Sequence, residues 1–240
     1  MYQYKTLSNG IKVVAEKIDY LKSISIGVWV GNGSRYENKE VNGISHFIEH
    51  MLFKGTKNRS AAQIAHEIDS VGGQLDAFTS REYTCFYTKT LDSHIPIALE
   101  ILSDMLYNPS LSPDDMALER QVIKEEIRMY EDSPEDLVYD LSSYAAWGDT
   151  PMGRTILGTY ESLDGITPDI MRNYMNNHYT SANTIISVSG NFDDTFFELL
   201  EKYFGTKKML DTKPASAQAP RHQRRLPASG DAAGRNARLG

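Results

Sequence analysis

Cysteine is nearly missing from this chain: Cys85 is the only one in 240 residues, which excludes a disulfide within it. Cys85 lies in YTCFYTK, whose alternation reads as a strand, so it is expected in the core rather than acting as a nucleophile. No apolar run is long enough to span a bilayer, and the N-terminus MYQYKTLSNG lacks the basic and oily regions of a signal peptide. Positive charge is also short: 25 Lys and Arg stand against 32 Asp and Glu, a formal charge of −7. That balance argues against nucleic acid or an anionic membrane surface as the main partner. A cytoplasmic location is the expectation. The 40% hydrophobic content is ample for a core.

Against this background the stretch GISHFIEHMLFKG, Gly43 to Gly55, stands out, because two histidines and a glutamate interrupt a segment that is otherwise mostly apolar. A helix that is apolar on all sides is a buried helix, with Lys54 and Gly55 closing it. Unpartnered imidazoles and carboxylates cost several kcal/mol to bury (roughly 2–7 even for a neutral polar group), so these side chains need partners. At about 100° per residue His46 and His50 lie about 40° apart on the cylinder and can reach one point. Glu49 falls about 80° to one side of their mean direction. Two imidazoles can bind Zn²⁺ while a neighbouring carboxylate holds and deprotonates a water. A core histidine bonded to a carbonyl is the alternative.

A catalytic zinc site takes three protein ligands and leaves a position open, which directs attention to SPDDMALERQVIKEEIRMYED, Ser112 to Asp132. Ser112 suits an N-cap, Pro113 the first helical position, and Asp114 and Asp115 the positive end of the helix dipole. On the helical wheel Met116, Val122, Ile123, Ile127 and Tyr130 form an apolar stripe, with Arg120, Lys124, Glu125 and Arg128 outside it. Glu119 and Glu126, within about 20° of each other, fall inside it. Carboxylates on a core face need a cation or several donors, either a metal or Lys and Arg from elsewhere. Glu126 is read as the third ligand and Glu119 as an acid that orients the ligands or the water.

The first thirty residues read as a hairpin turning at Asn9-Gly10 followed by the strand SISIGVWV, with Ile24, Ile26, Val28 and Val30 on one face. Helices are expected over 44–54, 61–71, 94–106, 113–130, 135–144, 168–178 and 194–203, with strands near 74–80, 83–90 and 184–190. Without regular β-α-β alternation this is an α+β fold, a mostly antiparallel sheet backed by helices. After Leu210 the composition changes: residues 211–240 contain no aromatic residue, six Lys or Arg and two Asp, leaving −11 for residues 1–210. A basic, disordered tail is expected there.

HFIEHMLFKGT, followed by the ERQVIKEEIRMYED segment, resembles the pitrilysin-like zinc peptidases of peptidase family M16, the inverzincins with an H-x-x-E-H motif, especially the bacterial relatives of the mitochondrial processing peptidase. Further matching segments are GSRYE at 33–37, GGQLDAFTSREYT at 72–84, ILGTYESL at 156–163 and NTIISVSGN at 183–191. The resemblance implies His46, His50 and Glu126 as zinc ligands, Glu49 as general base and Glu119 as a supporting acid. It also implies that Asp76, Ala77, Phe78 and Thr79 lie on a strand that pairs with the backbone of an extended peptide substrate. The expected organisation is a zinc metallopeptidase domain of the N-terminal type over 1–208 and a tail over 209–240, without the family's second domain. Zinc-dependent endopeptidase activity would then need a complementary second domain, from a homo-oligomer or another chain. The rival expectation is a non-catalytic zinc-binding or structural subunit.

Overall fold

The computed structural model describes residues 2–207 and residue 209. Alternating apolar residues build the central sheet. Strands β1 (Tyr2–Thr6) and β2 (Lys12–Lys17) form the N-terminal hairpin, turning through Gly10 at φ 98°. They are followed by β3 (Ser23–Val30), β4 (Gln74–Thr79), β5 (Thr84–Leu91) and β6 (Thr184–Gly190). The spatial order is β1-β2-β6-β3-β5-β4, and every neighbouring pair is antiparallel except β2 with β6. The α+β, mostly antiparallel expectation is met; the one parallel pair joins strands far apart in sequence, a tertiary pairing no local pattern encodes.

In β3, Ile24, Ile26, Val28 and Val30 are all buried, and Phe86 of β5 lies opposite Val28 on the same face. Over this face pack α1 (Ile44–Leu52) and α3 (Ile95–Tyr107), with α2 (Ala61–Ser70) against α3 and β4. The remaining helices are α4 (Pro113–Asp132), α5 (Pro134–Trp147), α6 (Tyr160–Gly165), α7 (Pro168–His178) and α8 (Phe196–Leu200). The short α6 was not anticipated; its start is a Thr159–Ser162 capping box, an easily overlooked signal on so brief a helix. The expected helix over 194–203 is instead α8 running into a π-helical turn, Glu201–Gly205. Cys85 is buried as expected, and burial pushes its thiol up to about 12, which fits a core residue. Among the described residues no helix is long and apolar enough to cross a membrane. The tail assigned to 209–240 lies, apart from Met209, outside the described residues.

Candidate metal centre

Helix α1 is buried as its composition demands: Ile44, Phe47, Ile48, Met51 and Leu52 are completely enclosed. Its polar side chains divide between two neighbours. His46 and His50 face α4, whereas Glu49 turns toward β4, where the Thr79 hydroxyl donates to Glu49 Oε2. Helix α4 begins as its sequence indicates, with Ser112 Oγ accepting from the Asp115 amide and Pro113 in the first turn. Met116, Ile123 and Ile127 are buried along with Glu119. The stripe is narrower than the wheel suggests: Val122 and Tyr130 are 51% and 41% exposed, so they do not join the core. Arg120 is turned inward, donating to the carbonyls of Leu163 and Ile166.

Two helices thus bring three lone-pair donors together. His46 Nε2 and His50 Nε2 are 3.1 Å apart, and each is 3.7 Å from Glu126 Oε2. Among the described residues these three are the one group of His, Cys, Asp and Glu side chains placed to share a metal ion. Glu119 Oε1 lies 2.8 Å from His50 Nδ1, so that nitrogen carries the proton and donates, and Nε2 turns its lone pair to the centre. Lys54 Nζ approaches Glu119 Oε2 at 2.6 Å. Glu119 thus contacts both a lysine and a histidine.

The electrostatics favour a cation at this point. Burial, with the neighbouring His50 adding to it, pushes His46 down to about 3, so its imidazole is neutral. Burial also raises Glu126, opposed by His50 and reinforced by the Glu119 charge. Two imidazole nitrogens and a carboxylate oxygen so close are a nitrogen- and oxygen-rich donor set suited to zinc. Burial likewise raises Glu49, although the Thr79 hydroxyl pulls it down.

The four β4 residues separate. Strand alternation sets Ala77 and Thr79 on the helix-covered face and Asp76 and Phe78 on the other. There Asp76 accepts from the Tyr87 hydroxyl, and Phe78 packs edge-on against Trp29 at 5.7 Å. Only Thr79 puts its side chain on the site, yet the whole strand is a sheet edge with a single partner, β5. A groove of 560 Å³ beside it is lined by Phe53, Ile64, Ile68, Leu75 and Tyr87. A larger cavity, 640 Å³, includes none of the site residues. Sequence reasoning missed two contributors, Lys54 and the Thr79 hydroxyl. Lys54 is four residues after His50, a spacing that could have marked it as facing the same partner.

Comparison with known proteins places this arrangement. Residues 12–160 match the family described as insulinase (peptidase family M16), and residues 165–230 match the peptidase M16 inactive domain. A zinc protease of Bacillus subtilis, YmxG, is 47% identical over 206 residues, covering 86% of this chain and 50% of its own length. The probable mitochondrial-processing peptidase subunit beta of Arabidopsis thaliana is 40% identical over 185 residues, 77% of this chain and 35% of that protein. A protease structure from Helicobacter pylori superposes with a TM-score of 0.84 at 29% identity, over 93% of this chain and 54% of that one. The chain spans about half the length of the curated bacterial relatives it matches. Bacterial relatives among these matches are named zinc proteases, and the chain belongs to the insulinase family, peptidase family M16.

Proposed function

We propose that this chain carries the zinc half of an endopeptidase that hydrolyses peptide bonds in extended peptides. The observation that supports it most is the convergence of His46, His50 and Glu126 beside Glu49 and the free edge of β4. In this reading His46, His50 and Glu126 hold zinc, which when bound supplies Lewis-acid polarisation of water and of the scissile carbonyl. Glu49 accepts the proton of the attacking water and returns one to the leaving amine; its burial, which raises the carboxyl, brings its basicity closer to neutral pH. The Thr79 hydroxyl holds Glu49 in place. Glu119, backed by Lys54, keeps His50 in its ligating tautomer. The main chain of Asp76, Ala77, Phe78 and Thr79 receives the substrate by strand addition, which grips a peptide without strict sequence readout.

Hydrolysis is expected to need a complementary second domain, supplied by self-association or by another chain. A strand edge and a zinc-bearing helix pair position only one side of a peptide, and positioning can supply about 7–11 kcal/mol of barrier reduction. Residues 1–208 would be the zinc-bearing domain. The alternative, a non-catalytic zinc-binding or structural subunit, draws on the match of residues 165–230 to an inactive domain. The deciding experiment is peptide hydrolysis by the purified chain with and without zinc, alone and mixed with a complementary domain. Zinc-dependent cleavage in the mixture supports the enzyme; zinc binding without cleavage in any mixture supports the subunit.

A further inference from the structure

Two of the segments noted above, GSRYE and ILGTYESL, take no part in the ligand set, and both meet the N-terminus of α1. Its N-cap is Gly43, which has no side chain to satisfy the first amides of the helix. Glu37, 2% exposed, supplies what is missing. Its Oε2 accepts from the Gly43 amide at 2.7 Å and from Asn42 Nδ2 at 3.0 Å, and its Oε1 accepts from the Ser45 amide at 2.9 Å. A carboxylate at the positive end of the helix also suits the dipole.

The other end of the GSRYE segment is tied to the corner that follows β4. The amides of Ser34 and Arg35 donate to the carbonyls of Ser80 and Arg81 at 3.3 and 2.8 Å. On the far side, Gly158 packs against the Asn42–Gly43 backbone so tightly that an added Cβ would sit 2.5 Å from the Asn42 carbonyl oxygen. Ser162 Oγ donates to that same oxygen at 2.7 Å. The helix that carries His46 and Glu49 is therefore braced, through the 33–37 segment, to the corner beyond Thr79.

We propose that Glu37 is a positioning residue whose buried carboxylate fixes the first turn of α1 relative to the Ser80–Arg81 corner, and so sets His46 and Glu49 against β4. This rests on the zinc-peptidase reading above. Glu37→Gln is the sharpest test, because an amide in either orientation presents an N–H to a backbone N–H. Three readouts on the purified chain are compared with wild type and with Phe196→Leu, a core change in α8: far-UV circular dichroism, amide exchange over 42–52, and Co²⁺ affinity with its visible spectrum. Glu37→Gln is expected to keep its dichroism, to exchange those amides about tenfold faster, and to bind Co²⁺ about tenfold more weakly with an altered spectrum, on the scale of lost supporting interactions at metal sites. Phe196→Leu should do neither, and Glu37→Asp should recover part of the loss. Exchange and Co²⁺ affinity within about twofold of wild type for Glu37→Gln, or equal effects of Phe196→Leu, would overturn the proposal. Should Glu37→Gln fail to fold, Asn42→Ala, which removes one donor to Oε2, must still loosen the same amides, and unchanged exchange overturns the idea. Co²⁺ binding indifferent to His50→Ala counts against the zinc reading instead, while amide exchange still decides the role of Glu37.

Discussion

His50 is held from both sides, by Glu119 at Nδ1 and by its approach to His46 and Glu126 at Nε2, whereas Glu49 is held by the Thr79 hydroxyl. Ligand and base should therefore separate on mutation. Glu49→Gln is expected to retain about one zinc per molecule and to abolish hydrolysis in the assembled enzyme, while Glu126→Gln loses zinc under chelator challenge; metal analysis of both decides it. Lys54→Met should weaken zinc about tenfold without removing a ligand, since Glu119 loses the cation beside it. Competition with a chromogenic chelator measures that loss. Away from the site, His178 stacks on Tyr174 with its Nδ1 buried and without a hydrogen-bond partner among the described residues, and burial lowers its pKa. Its folded pKa lies below the unfolded value, so below about pH 6.5 the unfolded chain takes up a proton that the fold refuses. Stability should fall as pH drops through that value, and His178→Gln should flatten the decline seen in urea titrations between about pH 7.5 and 5.5.

At the scale of elements, the site depends on how α1, α4 and β4 are joined. Gly158, at φ +84°, occupies a conformation that L side chains rarely adopt and touches the Asn42–Gly43 backbone. Gly158→Ala meets both penalties and is expected to destabilise the domain by about 2–4 kcal/mol, read from urea midpoints. The entry to α4 offers an instructive contrast. Leu111 has a positive φ of 46°, which favours glycine, but its side chain is 2% exposed. Relief of backbone strain is worth about 1 kcal/mol and the lost burial about 2–3, so Leu111→Gly should be net destabilising by about 1–2 kcal/mol. A gain in stability would show that the strain is the larger effect.

For the whole molecule, all three proposed ligands lie between residues 46 and 126, and their supporting contacts come from Lys54, Thr79 and Glu119. A chain truncated after Leu210 is therefore expected to keep its zinc content and its far-UV dichroism. Peptidase activity should behave differently. A verified monomer should load zinc yet cleave little or nothing, and activity should appear on adding a complementary domain, with a dependence on its concentration. Robust zinc-dependent cleavage by the monomer, established by sizing and a peptide assay together, would show that one half suffices.

Much of this was written in the linear sequence. The spacing of His46 and His50 brings them to one face because a helix repeats every 3.6 residues, and Ser112-Pro113 marks the start of α4 because capping is local chemistry. The strands of β3 and β5 followed from alternation, a two-residue period that survives any tertiary context. What only the tertiary structure decided are the relations between segments distant in sequence. Val122 and Tyr130 stay exposed because no element among the described residues covers that side of α4, a fact the wheel cannot contain. Lys54 meets Glu119, and Thr79 meets Glu49, across gaps of 65 and 30 residues. Glu37 is a nearer case that the sequence also left unread: six and eight residues before Gly43 and Ser45, it caps α1 because Gly43 lacks a side chain and the chain turns back to bring its carboxylate to the first amides of the helix. Local periodicity sets which face a residue occupies, and packing alone sets what that face meets.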